Sequence, residues 1–92
     1  MDSSVTIRLP RQLWLYSGGA KELPLEVGTL RDAFRHLQQT QPLAYERICT
    51  ESGQPRDHVN VFVNRELVRD LDSPVQIKPG DVITILPAIS GG

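Results

Sequence analysis

The chain has 92 residues, a hydrophobic fraction of 39%, and a net charge of −1 from 10 basic and 11 acidic side chains. This length and composition are typical of one soluble globular domain with a single modest core. The sequence shows no Lys/Arg cluster, no transmembrane run and no signal-peptide hydrophobic region, so we expect no nucleic-acid partner, no membrane partner and a cytoplasmic location.

The first part of the sequence predicts a β-hairpin. Residues 5–9 alternate apolar and polar side chains at period two, which is typical of a half-buried strand, and Pro10 stops that strand. Residues 17–19, Ser-Gly-Gly, indicate a turn, and the alternation returns over residues 20–27 as a second strand. Pro24 favours an edge position for the second strand.

One main helix is predicted after the hairpin. Thr29 offers an N-cap oxygen, and Asp32 is favourably placed near the positive end of the helix. Apolar side chains then recur on one stripe at 3.6 residues per turn, and we expect this stripe to pack on the sheet; it consists of Leu30, Ala33, Phe34 and Leu37. Pro42 disfavours the helical conformation in the residue before it, so the helix is expected to end near residues 39–41.

The later elements are shorter. Residues 42–57 have a weak pattern in which only one short helical turn is expected. A strand is predicted at residues 59–63, and a three-residue turn leads to a short strand at residues 67–69. After the turn residues Lys78-Pro79-Gly80-Asp81, the last strand is predicted at residues 82–86.

The sequence contains no nucleophile elbow, phosphate-binding loop or zinc-protease helix, so we do not expect an enzyme. Cys49 is the single cysteine, which excludes an internal disulfide and a four-cysteine cluster, and we expect an inert, partly buried thiol. His36 and His58 are isolated, so no metal ligand is assigned. Asp70 and Asp72 fall in an expected loop, where solvated carboxylates are the favoured interpretation. No stably bound cofactor is expected.

The C-terminal end is the most informative feature. Ser90-Gly91-Gly92 follows closely on the apolar run of the last predicted strand. Two glycines adopt backbone angles that other residues avoid, and a glycine carboxylate has no neighbouring Cβ, so such an end can thread a narrow enzyme channel. Residues 87–92, if extended, reach roughly 20 Å. Diglycine alone is more typical of an ordinary frayed end.

Residues 80–92, Gly-Asp-Val-Ile-Thr-Ile-Leu-Pro-Ala-Ile-Ser-Gly-Gly, closely resemble the C-terminal signature of the MoaD/ThiS sulfur carriers, a family of small ubiquitin-like proteins. The Val-Asn-x-Glu pattern at residues 63–66 also resembles these carriers. The resemblance implies an α+β fold of the β-grasp type, in which a mixed sheet of four to five strands has central, parallel first and last strands and one main helix packed across it. It implies a β-grasp domain at residues 1–86 and a flexible, extended tail at residues 87–92.

The resemblance also implies a chemical role for Gly92. A ubiquitin-activating-type adenylyltransferase and sulfurtransferase would transfer AMP from ATP to the Gly92 carboxylate, and sulfur would displace AMP to leave a thiocarboxylate. Gly91 would keep the entrance to the partner's active site narrow, and the spacer would consist of Pro87, Ala88, Ile89 and Ser90. ATP would be used by the activating partner rather than held by this chain.

The family's activating enzymes grip an apolar sheet face, so Leu86, Phe62 and Trp14 are candidate partner contacts, although each side chain also suits the core. The second expected partner is a sulfur-accepting synthase. A cysteine synthase comes first, because the ending is similar to that of the cysteine-biosynthesis carriers of actinobacteria, and the large subunit of molybdopterin synthase comes second. A protein modifier that forms isopeptide bonds through Gly92 and a simple interaction module are alternatives. The free chain is expected to be a monomer.

Overall fold

The computed structural model describes residues 4–26 and 28–87. Within these ranges, five strands form one sheet in the order β2-β1-β5-β3-β4. Their bounds are β1 Val5–Arg8, β2 Glu22–Leu25, β3 Val59–Val63, β4 Glu66–Val68 and β5 Val82–Pro87. β1 and β5 pair in parallel, and the other neighbours are antiparallel. The predicted mixed sheet with central, parallel first and last strands is therefore confirmed.

The N-terminal hairpin has the predicted pairing. β2 is an edge strand, and its Pro24 lies opposite Thr6 of β1. Proline is tolerated there because an edge strand leaves one side of its backbone unpaired. Between the strands lies a 3₁₀ helix over Arg11–Ser17, which the alternation in the sequence does not predict, and Gly18 ends it with a φ of 67°. We call Arg11–Ser17 the 3₁₀ segment.

Two α-helices cover one face of the sheet. α1 spans Leu30–Thr40, and the Thr29 hydroxyl oxygen accepts a hydrogen bond of 3.1 Å from the Asp32 N–H, so the predicted N-cap is confirmed. The four apolar side chains of the predicted stripe are all fully buried. α2 spans Pro42–Ile48 and is longer than the single turn expected from the sequence. Pro42 suits its first position because the amide hydrogen that proline lacks has no partner inside a helix at that position.

The β3–β4 connection is tighter than predicted. Val63 pairs directly with Glu66, which leaves a two-residue turn and moves the short strand one residue earlier than the expected 67–69. Asn64 adopts a positive φ of 56°, which asparagine tolerates better than most residues. Its side chain accepts a bond from the Val82 N–H and donates one to the Asp81 carboxylate, at 3.0 and 3.1 Å. The turn is thereby tied to the start of β5.

Hydrogen bonds to Asp81 strengthen this attachment of β5. The Lys78 N–H donates to Asp81 Oδ2 at 2.9 Å, and this bond, followed by the Asn64 bond, lowers the pKa of the Asp81 carboxyl. Both bonds favour the ionised carboxylate because N–H donors stabilise negative charge. The turn that precedes β5 is therefore fixed at physiological pH.

β5 extends past the expected domain boundary between residues 86 and 87. Pro87 pairs with Val59 of β3 and belongs to the sheet rather than to the segment beyond it. The physical reason is that β1 ends at Arg8, opposite Thr84, so the last part of β5 has a strand partner on the β3 side only. A proline without an N–H is compatible with such a half-paired position.

The buried stripe of α1 makes a clear stability prediction. Phe34→Ala should lower the free energy of unfolding by about 3–5 kcal/mol, because it removes a fully buried ring and leaves a cavity. Leu43→Ala is the matched control, since this side chain of α2 is 60% exposed and its loss should change stability by no more than about 0.5 kcal/mol. Urea unfolding measures both values, and equal losses would show that α1 does not provide the core contact described above.

Candidate functional site

β5 carries the chain toward its C-terminal residues from the centre of the sheet. Ile83 and Ile85 are buried against the helices, and β1 and β3 lie on either side of the strand. Pro87 is the last described residue, so the fixed root of the C-terminal segment lies at the end of β5. Five residues follow it in the sequence and span at most about 18 Å. The candidate residues Ala88, Ile89, Ser90, Gly91 and Gly92 lie outside the described residues.

The sheet face opposite the helices holds two of the three predicted partner contacts. Side chains alternate between the faces of a strand, so Leu86 lies on the face opposite the buried Ile85. Phe62 lies on the same face, because it pairs with Thr84, two residues before Leu86. Its side chain is half-buried. Leu86 is 44% exposed. The structure therefore brings Phe62 and Leu86 together on the open face of the sheet.

A third apolar side chain joins them. Leu67 of β4 pairs with Phe62 across the hairpin and is 38% exposed. We call Phe62, Leu67 and Leu86 the open-face patch. The sequence analysis did not select Leu67, although the two-residue spacing of the β3–β4 turn would have placed it opposite Phe62. Two exposed leucine side chains beside a half-buried phenylalanine form an apolar surface that suits a protein partner.

Trp14 does not belong to the open-face patch. It lies in the 3₁₀ segment, where its indole N–H donates a 3.0 Å hydrogen bond to the Leu9 carbonyl oxygen. The Lys21 ammonium lies 4.8 Å from the ring centroid, and the ring packs against the core. These contacts give Trp14 a structural role, because they hold the 3₁₀ segment against the end of β1.

Asp70 and Asp72 are exposed, as expected, and they bind neighbouring loops together. Arg31 Nε donates to Asp72 Oδ1 at 2.7 Å, and this bond lowers the pKa of the Asp72 carboxyl. The Gln54 side-chain amide donates to both carboxylates, at 2.9 Å to Asp70 and 3.1 Å to Asp72. Arg31 also donates to the Gly53 carbonyl oxygen. The cluster links α1 to two loops, and its geometry suits a structural role rather than acid–base catalysis.

Cys49 is a poor nucleophile in the folded chain. Its side chain is 2% exposed, and burial raises the pKa of the thiol to about 11. His36 lies exposed on α1, and His58 lies exposed just before β3. Among residues 4–26 and 28–87, no group of three or more His, Cys, Asp or Glu side chains is arranged to hold a metal ion. The described helices also include none with the length and apolarity needed to cross a membrane.

Comparison with known proteins places the chain among small carriers. The model of the family described as the ThiS family matches residues 7–92. The protein named sulfur carrier protein CysO of Mycobacterium tuberculosis (strain H37Rv) is 34% identical over 92 residues, which cover 97% of this chain and 99% of the relative. The similarity therefore covers nearly the whole of both chains.

Solved structures agree with the sequence relatives. CysO of Amycolatopsis orientalis, crystallised in complex with BexX, superposes with a TM-score of 0.81 and 31% identity over 96% of this chain and 99% of its own. SAMP1 of Haloferax volcanii superposes with a TM-score of 0.77 and 26% identity over 97% and 99% of the two chains. The neighbours share the ubiquitin-like β-grasp fold, which confirms the predicted fold class.

The burial of Cys49 predicts slow thiol labelling. With a pKa of about 11, only about one thiol in a thousand is ionised at pH 8, and the sulfur is also shielded from reagent. Iodoacetamide at pH 8 should therefore alkylate the native chain far more slowly than the chain in concentrated urea, as followed by intact mass. Equal rates in the two conditions would mean that Cys49 is accessible and would reopen it as a candidate nucleophile.

Proposed function

The chain belongs to the ThiS family, and we propose that it is a sulfur carrier whose Gly92 carboxylate is adenylated by a ubiquitin-activating-type enzyme and converted to a thiocarboxylate. The observation that carries this proposal is the sequence identity of 34% to sulfur carrier protein CysO over 97% of this chain. It is combined with a diglycine sequence that follows a central strand. The chain acts in this account as a protein co-substrate and not as an enzyme.

The chemistry explains why a partner and ATP are needed. An α-carboxyl group has a reference pKa of about 3.3 to 3.7, so it is ionised at neutral pH and resists nucleophiles. In the first step, a carboxylate oxygen of Gly92 attacks the α-phosphorus of ATP, and pyrophosphate leaves. In the second step, hydrosulfide adds to the acyl carbon, the bond to AMP breaks and one proton is released. The product is a thiocarboxylate whose sulfur is a nucleophile.

The fold supports this role because Gly92 follows the last described residue of the sheet, Pro87, by five residues in the sequence. Chemistry at Gly92 takes place within about 18 Å of Pro87 and requires no change in the pairing of β5. We propose that Gly91 keeps the approach to the partner's active site narrow, because it adds no side chain there. Pro87 would serve as the fixed root of the segment, and the spacer between root and diglycine is Ala88, Ile89 and Ser90.

The activating enzyme is proposed to bind the open-face patch. Leu86 of this patch lies on the strand that leads to Gly92, so one protein can contact the patch and the C-terminal segment together. Burying three apolar side chains supplies affinity, because removal of apolar surface from water favours association. The Amycolatopsis CysO that forms a complex with BexX supports the idea that carriers of this shape assemble with partner proteins.

The recipient we propose is a cysteine synthase, because the C-terminal sequence resembles the carriers of cysteine biosynthesis and three of the full-length relatives are named CysO. The large subunit of molybdopterin synthase is the second recipient. In either enzyme, the thiocarboxylate sulfur would attack the activated substrate, and the sulfur atom would remain on the product after hydrolysis of the acyl bond. Gly92 would then be ready for another round of adenylation.

A protein modifier is the second candidate function. The specific observation in its favour is the likeness to SAMP1, which is named a small archaeal modifier protein in a second structure from Haloferax volcanii and in one from Methanosarcina acetivorans. Both functions begin with adenylation of the same carboxylate. They differ in the nucleophile that displaces AMP from the acyl group, which is sulfide for a carrier and a lysine amine for a modifier.

The sulfur-carrier proposal predicts a defined mass change. Incubation of the chain with ATP, its activating enzyme and sulfide should replace one oxygen by sulfur, and intact-mass spectrometry measures the increase. Gly92→Ala should abolish the increase, because the added methyl group stands beside the reacting carboxylate, and its midpoint of thermal unfolding should match that of the unchanged chain. No mass increase with the unchanged chain would contradict the proposal, and ladders of larger conjugates on lysine residues would favour the modifier.

The open-face patch predicts a selective loss of activation. Leu86→Asp should lower kcat/KM for adenylation by at least about tenfold, since burying an unpaired charge in an apolar contact is costly. Leu15→Asp is the matched control, because Leu15 is 91% exposed in the 3₁₀ segment and lies outside the patch. Pyrophosphate release measures both variants. Equal activity of the two variants would show that the activating enzyme binds another surface.

A further inference from the structure

A second surface lies on the other side of the sheet, at the same end of β5. It is a cleft of about 610 Å³ between the 3₁₀ segment, α2 and the start of β3, and Pro87 forms part of its wall. Ile85, Val59 and Leu13 provide apolar lining. Ile85 is buried on the helix side of β5, so the cleft and the open-face patch lie on opposite faces of the sheet.

Two arginine side chains line the cleft, and local contacts hold both of them. The Arg47 guanidinium carbon lies 3.9 Å from the centroid of the Tyr16 ring. Such stacking occupies the flat face of the guanidinium and leaves its in-plane N–H donors available. Arg56 Nε donates a 2.8 Å hydrogen bond to the Glu46 carbonyl oxygen, and its two Nη groups make no hydrogen bond within the described residues. Both cations are therefore positioned without using their full donor sets.

Neither arginine is neutralised by a carboxylate within the described residues. The ion pairs there are Arg31 with Asp72 and Arg35 with Asp32, and neither pair involves the cleft. Two arginines line the cleft against a single acidic side chain, Glu46. The whole chain carries a net charge of −1, so this positive region is local and does not reflect a general excess of basic residues.

We infer that the cleft docks an acidic segment of a partner protein, with one apolar side chain on the floor of the cleft and carboxylates on Arg47 and Arg56. The apolar lining fits a phenylalanine or leucine anchor, and the planar guanidinium groups fit carboxylates through paired N–H donors. A protein segment is favoured over a free small anion, because apolar lining and two separate cations form one continuous surface beside Pro87. A partner that binds the C-terminal segment can therefore also contact the cleft, because Pro87 belongs to its wall.

The inference goes beyond the proposed function and stands on the cleft alone. It requires no adenylation and no sulfur, so failure of either chemistry at Gly92 leaves it intact. If both surfaces are used, the open-face patch and the cleft allow two different proteins to contact the root of the C-terminal segment from opposite sides of one sheet. The cleft would then contribute to the choice of the second partner.

The test is a titration of the full ¹⁵N-labelled chain with a blocked peptide of sequence Asp-Glu-Phe-Glu-Asp. Saturable shift changes are expected at the backbone amides of Tyr16, Arg47, His58 and Val59, and they should weaken as salt is added. The double variant Arg47→Glu with Arg56→Glu should bind about tenfold or more weakly. The matched control is Arg65→Glu with Arg69→Glu, which makes the same change in net charge outside the cleft and should bind as the unchanged chain does.

Parallel titrations distinguish an acidic protein segment from other occupants of the cleft. A peptide with alanine in place of phenylalanine should bind more weakly, and a lysine-rich peptide around phenylalanine should not bind. Arg47→Gln with Arg56→Gln should also weaken binding, which provides a second variant if charge reversal disturbs folding. Equal shifts and affinity with citrate would overturn the inference, and so would equal binding by the cleft double variant and the control double variant. Binding about tenfold tighter by a chain that ends at Pro87 would also overturn it, since residues 88–92 of this chain would then be the occupant.

Discussion

The pairing of β5 with β1 on one side and β3 on the other holds the end of the described chain in the centre of the sheet. Buried Ile83 and Ile85 anchor the strand to the helices, and the side chain of Asn64 bonds to the backbone at its start. Because this strand is also the element that leads to the diglycine, its attachment limits the distance that the carboxylate proposed to react can reach. The remaining packing, including α1 and α2, stabilises that one strand.

The two sides of the sheet at the end of β5 differ in their surface chemistry. The open face has apolar side chains, with Leu67 and Leu86 exposed beside Phe62. The helix side has a cleft with apolar lining and two positioned guanidinium groups. An apolar patch and a cationic cleft have different chemical complements. A carrier that must meet an activating enzyme and then a recipient benefits from such a difference, because neither partner has to match the other's surface.

Local patterns in the sequence predict the elements better than they predict the connections between them. Period-two alternation and the 3.6-residue stripe indicate the strands and α1, because burial on one face imposes these periods directly. The parallel pairing of β1 with β5 joins residues far apart in the chain, and only the family resemblance implied it. The 3₁₀ segment has no periodic signal, and its position depends on the Trp14 bond to Leu9. The cleft combines Tyr16 with Arg47 and Arg56, which no spacing rule connects.

The described domain is expected to keep its fold without residues 88–92, which carry the proposed chemistry. Native-state hydrogen exchange at the amides of Ile83 and Ile85 tests it most directly, by comparison of the full chain with a chain that ends at Pro87. Equal protection of these amides in the two chains is the predicted result, because β5 is held by β1, β3 and the buried core. Markedly faster exchange in the shortened chain would contradict this expectation, since residues 88–92 would then help to hold β5 in the sheet.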